Sequence, residues 1–476
     1  MYQYDVDAKP EQIEAIEWAV PRTGYLLALP ISFGKTMCAL TIIKRWRAIY
    51  GPWKVLLVST KSICHHTWEE ELESWDHLIG TMTYANAAGR NLAAAQQGAD
   101  ITGVNFESLE WYLDLVDEGR VSLPEVLVID ESSKMKAYNA HRVCRLTGLR
   151  YVGRSQGRKV VESMGGYVDR FKRRILLSAT PNPESYADLF AQEACIDTRR
   201  RFGPNITSFR NEFCQRDRSG FGYEVVKAME PVIEERMKHI MYMPKYDDYL
   251  GLPDPLHVRQ VVPWTDEERE QYDELEDSLA LVLESGKEDC PLDEVEVEAP
   301  NAGVLLSKLR QLCSGFIYDH KRTAHRTNTV VAKCDALAEI RERSGDTPLL
   351  VFTQFKAEAA HIAERFGDAH IGLPDSLSGW STNSIPMLVL HPRSAGHGLN
   401  LQHGSHICVY YSLPYSYEEW AQSWGRLQRR GQTHQVSAIR LERPNSVEQD
   451  VWRTVQGKKA KLSAFFKHMR ARRNQT

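Results

Sequence analysis

Two arginines stand three positions apart near the C-terminal end of the chain, at Arg426 and Arg429, with Gln422 just before them. In an α-helix of 3.6 residues per turn, positions three apart share one face, so the spacing predicts that both guanidinium groups reach the same anion. A guanidinium delivered to a transferring phosphoryl group raises the rate by about 10³–10⁵-fold. The alternative is an ordinary basic helix face.

A lysine suited to holding phosphate lies far upstream, where Gly34, Lys35 and Thr36 follow an apolar stretch. A glycine lets the backbone bend around phosphate oxygens, and the helix expected at residues 36–50 offers its N-terminus to the anion. Lys35 would reach the β- and γ-phosphates and Thr36 would ligate magnesium. The full phosphate-loop pattern has a glycine at position 29, where this chain has Leu29.

An acidic pair, Asp130 and Glu131, ends another apolar run. Adjacent carboxylates at a strand end point in different directions, so they can divide two roles: Asp130 on a metal ion and Glu131 on the attacking water. The alternative is a pair of solvated loop acids. Ser178 and Thr180 lie at the end of a third apolar run. Taken without the lysine and the acidic pair, they indicate only a turn.

The elements that must position these residues are short apolar runs alternating with helical stretches. Runs without polar alternation are typical of parallel strands covered on both faces, and their alternation with helices predicts doubly wound α/β sheets, with functional turns at the carboxyl ends. The runs form two sets with a long, mainly helical middle, which predicts two similar α/β lobes. The predicted strands are residues 25–29, 55–59, 126–130 and 175–178, then 349–353, 387–391, 407–411 and 436–441.

Composition narrows the class of protein. Length allows two or three domains, and no run approaches the roughly 18 apolar residues of a membrane helix, so we expect no membrane partner. The polar N-terminus lacks the features of a signal peptide, and scattered cysteines fit reduced thiols, so we expect a cytoplasmic protein. We expect no structural zinc at His403, His406 and Cys408. The net charge of −4 excludes a generic polyanion binder, although residues 142–174 and 458–473 are basic.

In order along the chain, these pieces resemble the Swi/Snf-like branch of superfamily-two helicases, especially the compact versions encoded by phages and prophages. The resemblance covers residues 9–459. It departs from the family's pattern at residues 30–33 (Pro-Ile-Ser-Phe), in a shortened segment at 379–386 and in an insertion at 151–170. The matching segments are residues 9–12 (adenine reading), 33–36 (motif I), 59–61 (Ia), 130–136 (II), 178–181 (III), 351–355 (IV), 394–402 (V) and 422–432 (VI).

The resemblance implies two tandem RecA-like lobes, an α/β fold with doubly wound parallel sheets and helical insertions between them. It implies ATP and Mg²⁺ as cofactors and DNA as partner, duplex or branched, with weak sequence preference. The implied catalytic residues are Lys35, Asp130, Glu131, Arg426 and Arg429. The implied nucleotide-binding residues are Gln12, Ser32, Phe33, Gly34, Lys35, Thr36, Gly398 and Gln422, with Thr36 and Asp130 on the metal and Lys61, Thr180 and Asn400 on nucleic acid.

The expected domains are a first lobe at residues 1–188, a helical appendage at 189–250, a second lobe at 251–445 and a basic helical brace at 446–476. The expected activity is that of a DNA-stimulated ATPase that tracks along a duplex, in the host cytoplasm if the chain is phage-encoded. Two alternatives stay open: a strand-separating DNA or RNA helicase, and a catalytically impaired DNA-binding scaffold.

Overall fold

A computed structural model describes the chain from residue 2 to residue 473, except residues 89–90, 156–157, 164–165, 183–184, 198–200, 218–221, 245–251, 286–301, 320, 328–329, 374–377 and 396–398. The chain divides into two compact units. The first unit comprises residues 1–249 together with 460–476, and the second comprises residues 250–459.

A seven-stranded, wholly parallel sheet forms the centre of the first unit, in the order β11-β1-β8-β5-β2-β4-β3. Two antiparallel hairpins, β6–β7 and β9–β10, stand apart from it. The strands of this unit are β1 (Gly24–Ala28), β2 (Val55–Ser59), β3 (Met82–Ala85), β4 (Ile101–Asn105), β5 (Val126–Asp130), β6 (Arg150–Ser155), β7 (Arg158–Ser163), β8 (Arg173–Ser178), β9 (Cys214–Arg216), β10 (Tyr223–Val225) and β11 (Met241–Tyr242).

Helices cover this sheet, and the largest of them begins at Lys35. Its inward side joins the apolar core with strand residues such as Leu27, Leu57 and Val128. The helices of this unit are α1 (Tyr4–Asp7), α2 (Pro10–Ala19), α3 (Lys35–Tyr50), α4 (Trp68–Ser74), α5 (Leu92–Gln96), α6 (Leu109–Asp117), α7 (His141–Thr147), α8 (Asp188–Asp197), α9 (Ile206–Phe213) and α10 (Glu230–Met237).

The second unit has a six-stranded, wholly parallel sheet in the order β12-β19-β18-β15-β17-β16, and a small β13–β14 hairpin. Its strands are β12 (Leu256–Val261), β13 (Phe316–Tyr318), β14 (Ala324–Arg326), β15 (Leu349–Phe352), β16 (Ala369–Ile371), β17 (Met387–Leu390), β18 (Ile407–Tyr410) and β19 (Ser437–Glu442). Its helices are α11 (Asp266–Ser285), α12 (Ala302–Cys313), α13 (Val330–Ser344), α14 (Lys356–Arg365), α15 (Ser378–Ser381), α16 (Pro392–Ala395) and α17 (Tyr417–Trp424). The last helix, α18 (Val447–Arg473), begins in the second unit, and its residues from 460 onward belong to the first.

The predicted α/β architecture with two parallel sheets is confirmed. All eight predicted strands form, four in each sheet, and the helix expected after Gly34 begins at Lys35. Five further sheet strands were not predicted: β3, β4, β11, β12 and β16. Within the described ranges, no helix is long and apolar enough to cross a membrane.

Helix α8 is buried on all sides and carries an acid, Glu193, in that environment. The Glu193 carboxyl accepts the Arg201 N–H at 3.2 Å, and burial, together with the neighbouring Asp197 carboxyl, raises the pKa of Glu193 to about 9. In the unfolded chain the pKa returns to an ordinary value near 4.5. Between these values the unfolded chain releases a proton that the folded chain keeps, so stability falls as pH rises through this window.

We therefore expect Glu193→Gln, which mimics the protonated acid, to stabilise the protein at pH 8 by on the order of 1–3 kcal/mol. The gain should shrink as pH falls and vanish near pH 4, where wild-type Glu193 is protonated in the folded state and mostly protonated in the unfolded chain. Thermal melts at both pH values measure it. Glu125→Gln, at an acid outside this helix, is the control. An equal gain at both pH values would contradict the assigned protonation state.

Candidate active site

Three predicted site segments meet at one edge of the first sheet. Strand β8 lies between β1 and β5, and all three are parallel, so their carboxyl ends are neighbours. The glycine–lysine loop follows β1, the acidic pair ends β5, and Ser178 ends β8. Ligands of open α/β sheets bind at the carboxyl ends of the strands, so this edge is the candidate active site of the first unit.

The loop between β1 and α3 has an unusual backbone at two positions. Ser32 and Gly34 have positive φ angles of 67° and 88°, and Gly34 caps the 16-residue helix α3. A Cβ atom at Gly34 would lie 2.6 Å from the side-chain nitrogen of Gln12. Only glycine therefore fits there, for two independent reasons: the left-handed backbone and the close side chain.

Gln12 fastens this loop to helix α2. Its side-chain amide donates to the Phe33 carbonyl at 2.6 Å, and its carbonyl oxygen accepts the Lys9 N–H at 2.8 Å. Gln12 and Phe33 are both buried, at 9% and 1% exposure. Both polar ends of the predicted adenine-reading side chain thus have partners within the protein, and they connect the loop to α2.

Lys35, the first residue of α3, turns its ammonium group back over the loop. Its Nζ lies 3.4 Å from the Leu29 carbonyl oxygen and 3.3 Å from that of Pro30. It also acts electrostatically on Asp130, at the end of β5. Thr36 follows at the second position of the helix and is half-buried.

The acidic pair is buried rather than solvated, which removes the alternative of two loop acids. Asp130 and Glu131 are 4% and 7% exposed. The Asp130 carboxylate accepts the indole N–H of Trp68 and the Glu131 N–H, each at 3.0 Å. Burial raises the pKa of Asp130, although the Trp68 hydrogen bond and the Lys35 charge oppose the change. Glu131 has a left-handed backbone, with φ 60°, so the chain turns sharply between the two acids.

A buried glutamine connects the turns after β5 and β8. Gln192, on α8, accepts the Ser132 hydroxyl at 2.8 Å, and its amide group donates to the Pro181 carbonyl. Thr180 lies in the second turn, where its N–H donates to the Ser178 hydroxyl at 3.0 Å. One side chain thus contacts both turns.

Two of the three predicted nucleic-acid contacts lie in this unit, and they differ in exposure. Lys61 is exposed and lies two residues beyond the end of β2. Thr180 is only 2% exposed, and its hydroxyl has no hydrogen-bond partner among the described residues. In this conformation Lys61 can meet a phosphate from solvent, whereas Thr180 cannot.

In the second unit, the arginine pair does not lie on a helix, so the prediction of a shared helix face is wrong. Helix α17 ends at Trp424, and the chain then turns at Gly425. Beyond the helix, two backbone hydrogen bonds join residues that are three apart. The Arg426 N–H donates to the Ser423 carbonyl at 3.3 Å, and the Leu427 N–H donates to the Trp424 carbonyl at 3.0 Å. Arg426 and Arg429 therefore lie in a turn beyond the C-terminal end of α17.

A side-chain amide stabilises this arginine turn. The Gln432 amide group lies 3.0–3.3 Å from three backbone carbonyl oxygens, those of Gln402, Ser405 and Leu427. Residues 426–429 are therefore held against the segment that leads into β18. A well-fixed turn can position a guanidinium as firmly as a helix does.

The turn joins two of the predicted motifs. Arg429 donates to the side-chain carbonyl oxygen of Asn400 at 3.0 Å and is half-buried, whereas Arg426 is 5% exposed. Gln422 is buried on α17, with its amide 3.4 Å from Glu418. Gly398 lies outside the described residues.

Several residues that shape the site were missed by sequence reasoning as site residues. Trp68, Gln192 and Gln432 act through hydrogen bonds to other parts of the chain that their spacing does not reveal, although Gln432 lies in the segment that matches motif VI. Ser59 donates to the Asp130 carbonyl at 3.0 Å, which ties β2 to β5 beside the acids. Apart from Gln432, only Ser59 could have been noticed by its place in the sequence, because it is a polar residue at the end of an apolar strand.

The residues of the first unit fit a nucleoside triphosphate with Mg²⁺. The chain turns at Gly34 through a left-handed backbone, the N-terminus of a long helix follows this turn, and a lysine lies beside it. Asp130 is a buried carboxylate with oxygen lone pairs left over, as a hard cation requires, and Thr36 adds a hydroxyl. Thr36 and Asp130 would hold the metal, which would neutralise phosphate charge.

Comparison with known proteins finds three similarities. Residues 11–154 match the model of the SNF2-related domain. "Putative protein p41" of Acyrthosiphon pisum secondary endosymbiont phage 1 is 26% identical over 420 residues, which cover 86% of this chain and 85% of that protein. The Sulfolobus solfataricus SWI2/SNF2 ATPase core, solved in complex with double-stranded DNA, aligns over 98% of this chain and 94% of its own, with 18% identity and a TM-score of 0.43.

Proposed function

We propose that this chain, whose first unit carries a SNF2-related domain, is a motor that hydrolyses ATP and moves along DNA. The observation that supports this most is the meeting, at one sheet edge, of a glycine–lysine loop and two buried carboxylates. Phosphoryl transfer needs a loop that binds the phosphates, an acid that binds a metal ion and an acid that orients the attacking water.

Each residue of the first unit has a distinct role in this proposal. Lys35 and the N-terminus of α3 hold the terminal phosphates, where positive charge stabilises the charge that develops on the transferred group. Thr36 and Asp130 hold Mg²⁺. Glu131 orients and deprotonates the attacking water, and the sharp turn at its positive φ aims it away from Asp130.

Arg426 and Arg429 are proposed to act on the same nucleotide when the two units close around it. A guanidinium that arrives only on closure couples hydrolysis to movement of the units, which is what a motor requires. The hydrogen bond from Arg429 to Asn400 supports this coupling, because Asn400 is expected to contact nucleic acid. A DNA contact at Asn400 would then bear directly on an arginine of the nucleotide site.

The test is phosphate release measured with blunt duplexes, single strands and RNA as stimulants. We expect duplex DNA of unrelated sequences to stimulate most. Raising salt from 50 to 200 mM should weaken duplex affinity steeply, by about 10³-fold or more if six or more phosphates are contacted. Stronger stimulation by single strands or RNA would favour the strand-separating helicase instead. Affinity that barely changes with salt would contradict phosphate-dominated binding.

A catalytically impaired DNA-binding scaffold is the second candidate, and one observation favours it. The Lys35 ammonium group lies against the carbonyl groups of Leu29 and Pro30 within its own loop, in the segment that departs from the family's pattern. Duplex binding without any phosphate release would establish the scaffold. Stimulated phosphate release would exclude it.

A further inference from the structure

The carboxylate of Asp130, the residue proposed to hold Mg²⁺, is contacted by the protein at both of its oxygen atoms. Oδ1 accepts the N–H of Glu131, and Oδ2 accepts the indole N–H of Trp68, each at 3.0 Å. The first contact is local, because Glu131 is the next residue in the chain. The second comes from helix α4, 62 positions away, and therefore needs an explanation of its own.

Trp68 is held firmly in the core. It is the first residue of α4, it is fully buried, and it belongs to the apolar core of the first unit. The chain reaches it from Ser59, whose hydroxyl donates to the backbone carbonyl of Asp130 at 3.0 Å, through a π-helical turn at Ile63–Thr67. π-helical turns are rare, and they occur frequently at functional sites. The segment from Ser59 to Trp68 thus contacts Asp130 at both of its ends.

An aspartate that binds a metal ion needs a contact of this kind. The last side-chain torsion of aspartate has a broad energy minimum, so a carboxylate without partners adopts many orientations. Groups that hydrogen-bond a metal ligand fix its orientation, and their loss typically costs about 10–100-fold in metal affinity. A donor that is itself fixed in the core, as Trp68 is, can therefore set the direction of the Asp130 oxygens.

The indole N–H is chemically suited to this task. It donates one hydrogen bond and offers no lone pair, so it cannot compete with Asp130 for the cation. It is also neutral, whereas an arginine or a lysine in its place would hold the carboxylate but repel Mg²⁺. A carboxylate has about four lone-pair sites. Since the described residues make one contact to each oxygen, a site remains on each oxygen for a cation.

We propose that Trp68 is a positioning residue that sets the Mg²⁺ affinity of the nucleotide site by orienting the Asp130 carboxylate. The inference rests on the proposed function, which places Mg²⁺ on Asp130. The alternative is an ordinary core tryptophan whose N–H merely has a partner. Trp46 is a tryptophan of that kind in the same core: it is equally buried, and its indole N–H donates to the backbone carbonyl of Val20 at 2.7 Å.

The experiment measures nucleotide binding rather than hydrolysis. A fluorescent ADP is bound to the protein while Mg²⁺ is raised from zero, and the Mg²⁺ concentration that gives half of the metal-dependent gain in affinity is determined. Trp68→Phe keeps an aromatic ring in the core but removes the N–H, so it should need about 10–100-fold more Mg²⁺ than wild type. Its affinity for ADP without Mg²⁺ should match wild type, because Lys35 and the N-terminus of α3 are unchanged.

Trp46→Phe is the matched control. It removes the same atoms from the same core, and it also deletes one indole hydrogen bond, but the acceptor is the Val20 carbonyl instead of the Asp130 carboxylate. Its Mg²⁺ requirement should equal that of wild type. Equal Mg²⁺ requirements of Trp68→Phe and Trp46→Phe would overturn the proposal.

A second variant serves if Trp68→Phe does not fold, which thermal melts without nucleotide will show. Trp68→benzothienylalanine keeps a ring system of the same shape and replaces only the indole N–H by sulfur. It should raise the Mg²⁺ requirement as Trp68→Phe does. A wild-type Mg²⁺ requirement in this variant would overturn the proposal.

Duplex-stimulated phosphate release by the wild-type protein, measured in parallel, separates this proposal from the proposed function. Stimulated release, together with a Mg²⁺ requirement that depends on Trp68, supports both. Stimulated release with a Mg²⁺ requirement that does not depend on Trp68 refutes the positioning role alone. A Trp68-dependent Mg²⁺ requirement without stimulated release refutes the duplex motor alone. Wild-type ADP binding that does not respond to Mg²⁺ would overturn the metal site and, with it, the positioning role.

Discussion

Lys35→Ala should lower duplex-stimulated phosphate release by about 10²–10³-fold, the usual effect of removing one preorganised charge from a phosphoryl-transfer site. The structure gives the reason: Lys35 opens helix α3 beside the Gly34 turn and acts electrostatically on Asp130, which ends the strand two places away in the sheet. Without the ammonium group, the terminal phosphates lose their only cation from this loop. Nucleotide affinity should fall as well.

The matched control is Lys44→Ala, because Lys44 is an exposed lysine of the same helix. It should hydrolyse ATP like wild type. Duplex affinity measured without nucleotide should stay unchanged in both variants, which separates loss of chemistry from loss of the DNA partner. If Lys35→Ala releases phosphate as fast as Lys44→Ala, the nucleotide site lies elsewhere.

Most of the strands that were predicted share one property, which explains why others were missed. β1, β2, β5 and β8 are interior strands with almost unbroken apolar sequences, the pattern of a strand covered on both faces. β3, β12 and β16 lie at sheet edges and are partly exposed, so their sequences show no such run. Edge strands obey weaker sequence constraints, and pattern reasoning cannot recover them reliably.

β4 is an interior strand that was also missed, for a different reason. Gly103 interrupts its apolar pattern, because a Cβ there would lie about 3.1–3.2 Å from atoms of Met82 and Cys64. The glycine permits close packing against a neighbouring strand and an overlying helical turn. This packing exists only in the folded structure, so the glycine reads as a turn signal in the sequence.

The chemical groups of the site were easier to predict from the sequence than the residues that hold them in place. Lysine, acid pair and arginines could be located because each chemical group follows a recognisable local pattern. What holds them could not be located, since the Trp68 indole reaches Asp130 across 62 positions and Gln192 reaches Ser132 across 60. The spacing of Arg426 and Arg429 suggested a helix, and this prediction was wrong. The chain turns at Gly425, and the Gln432 amide holds the turn, which the helix propensities of the residues do not specify.

Arg429→Ala should lower duplex-stimulated phosphate release by about 10³-fold, within the range for an arginine that stabilises a transferring phosphoryl group. Nucleotide binding should be retained, because the phosphate-holding loop belongs to the other unit. Arg429 is a cleaner test than Arg426: it is half-buried and in reach of solvent, whereas truncating the 5%-exposed Arg426 would also disturb packing.

Two further variants show whether a loss of activity in Arg429→Ala comes from the guanidinium group itself. Arg430→Ala, at an exposed arginine of the same turn, should behave like wild type. Asn400→Ala removes the acceptor of the Arg429 hydrogen bond, worth about 1 kcal/mol, and should lower the rate only several-fold. A large Arg429 effect with a small Asn400 effect indicates that the guanidinium itself meets the nucleotide. Equal rates of phosphate release for Arg429→Ala and Arg430→Ala would show that Arg429 takes no part in hydrolysis. That result would also contradict the proposed coupling of hydrolysis to closure of the two units.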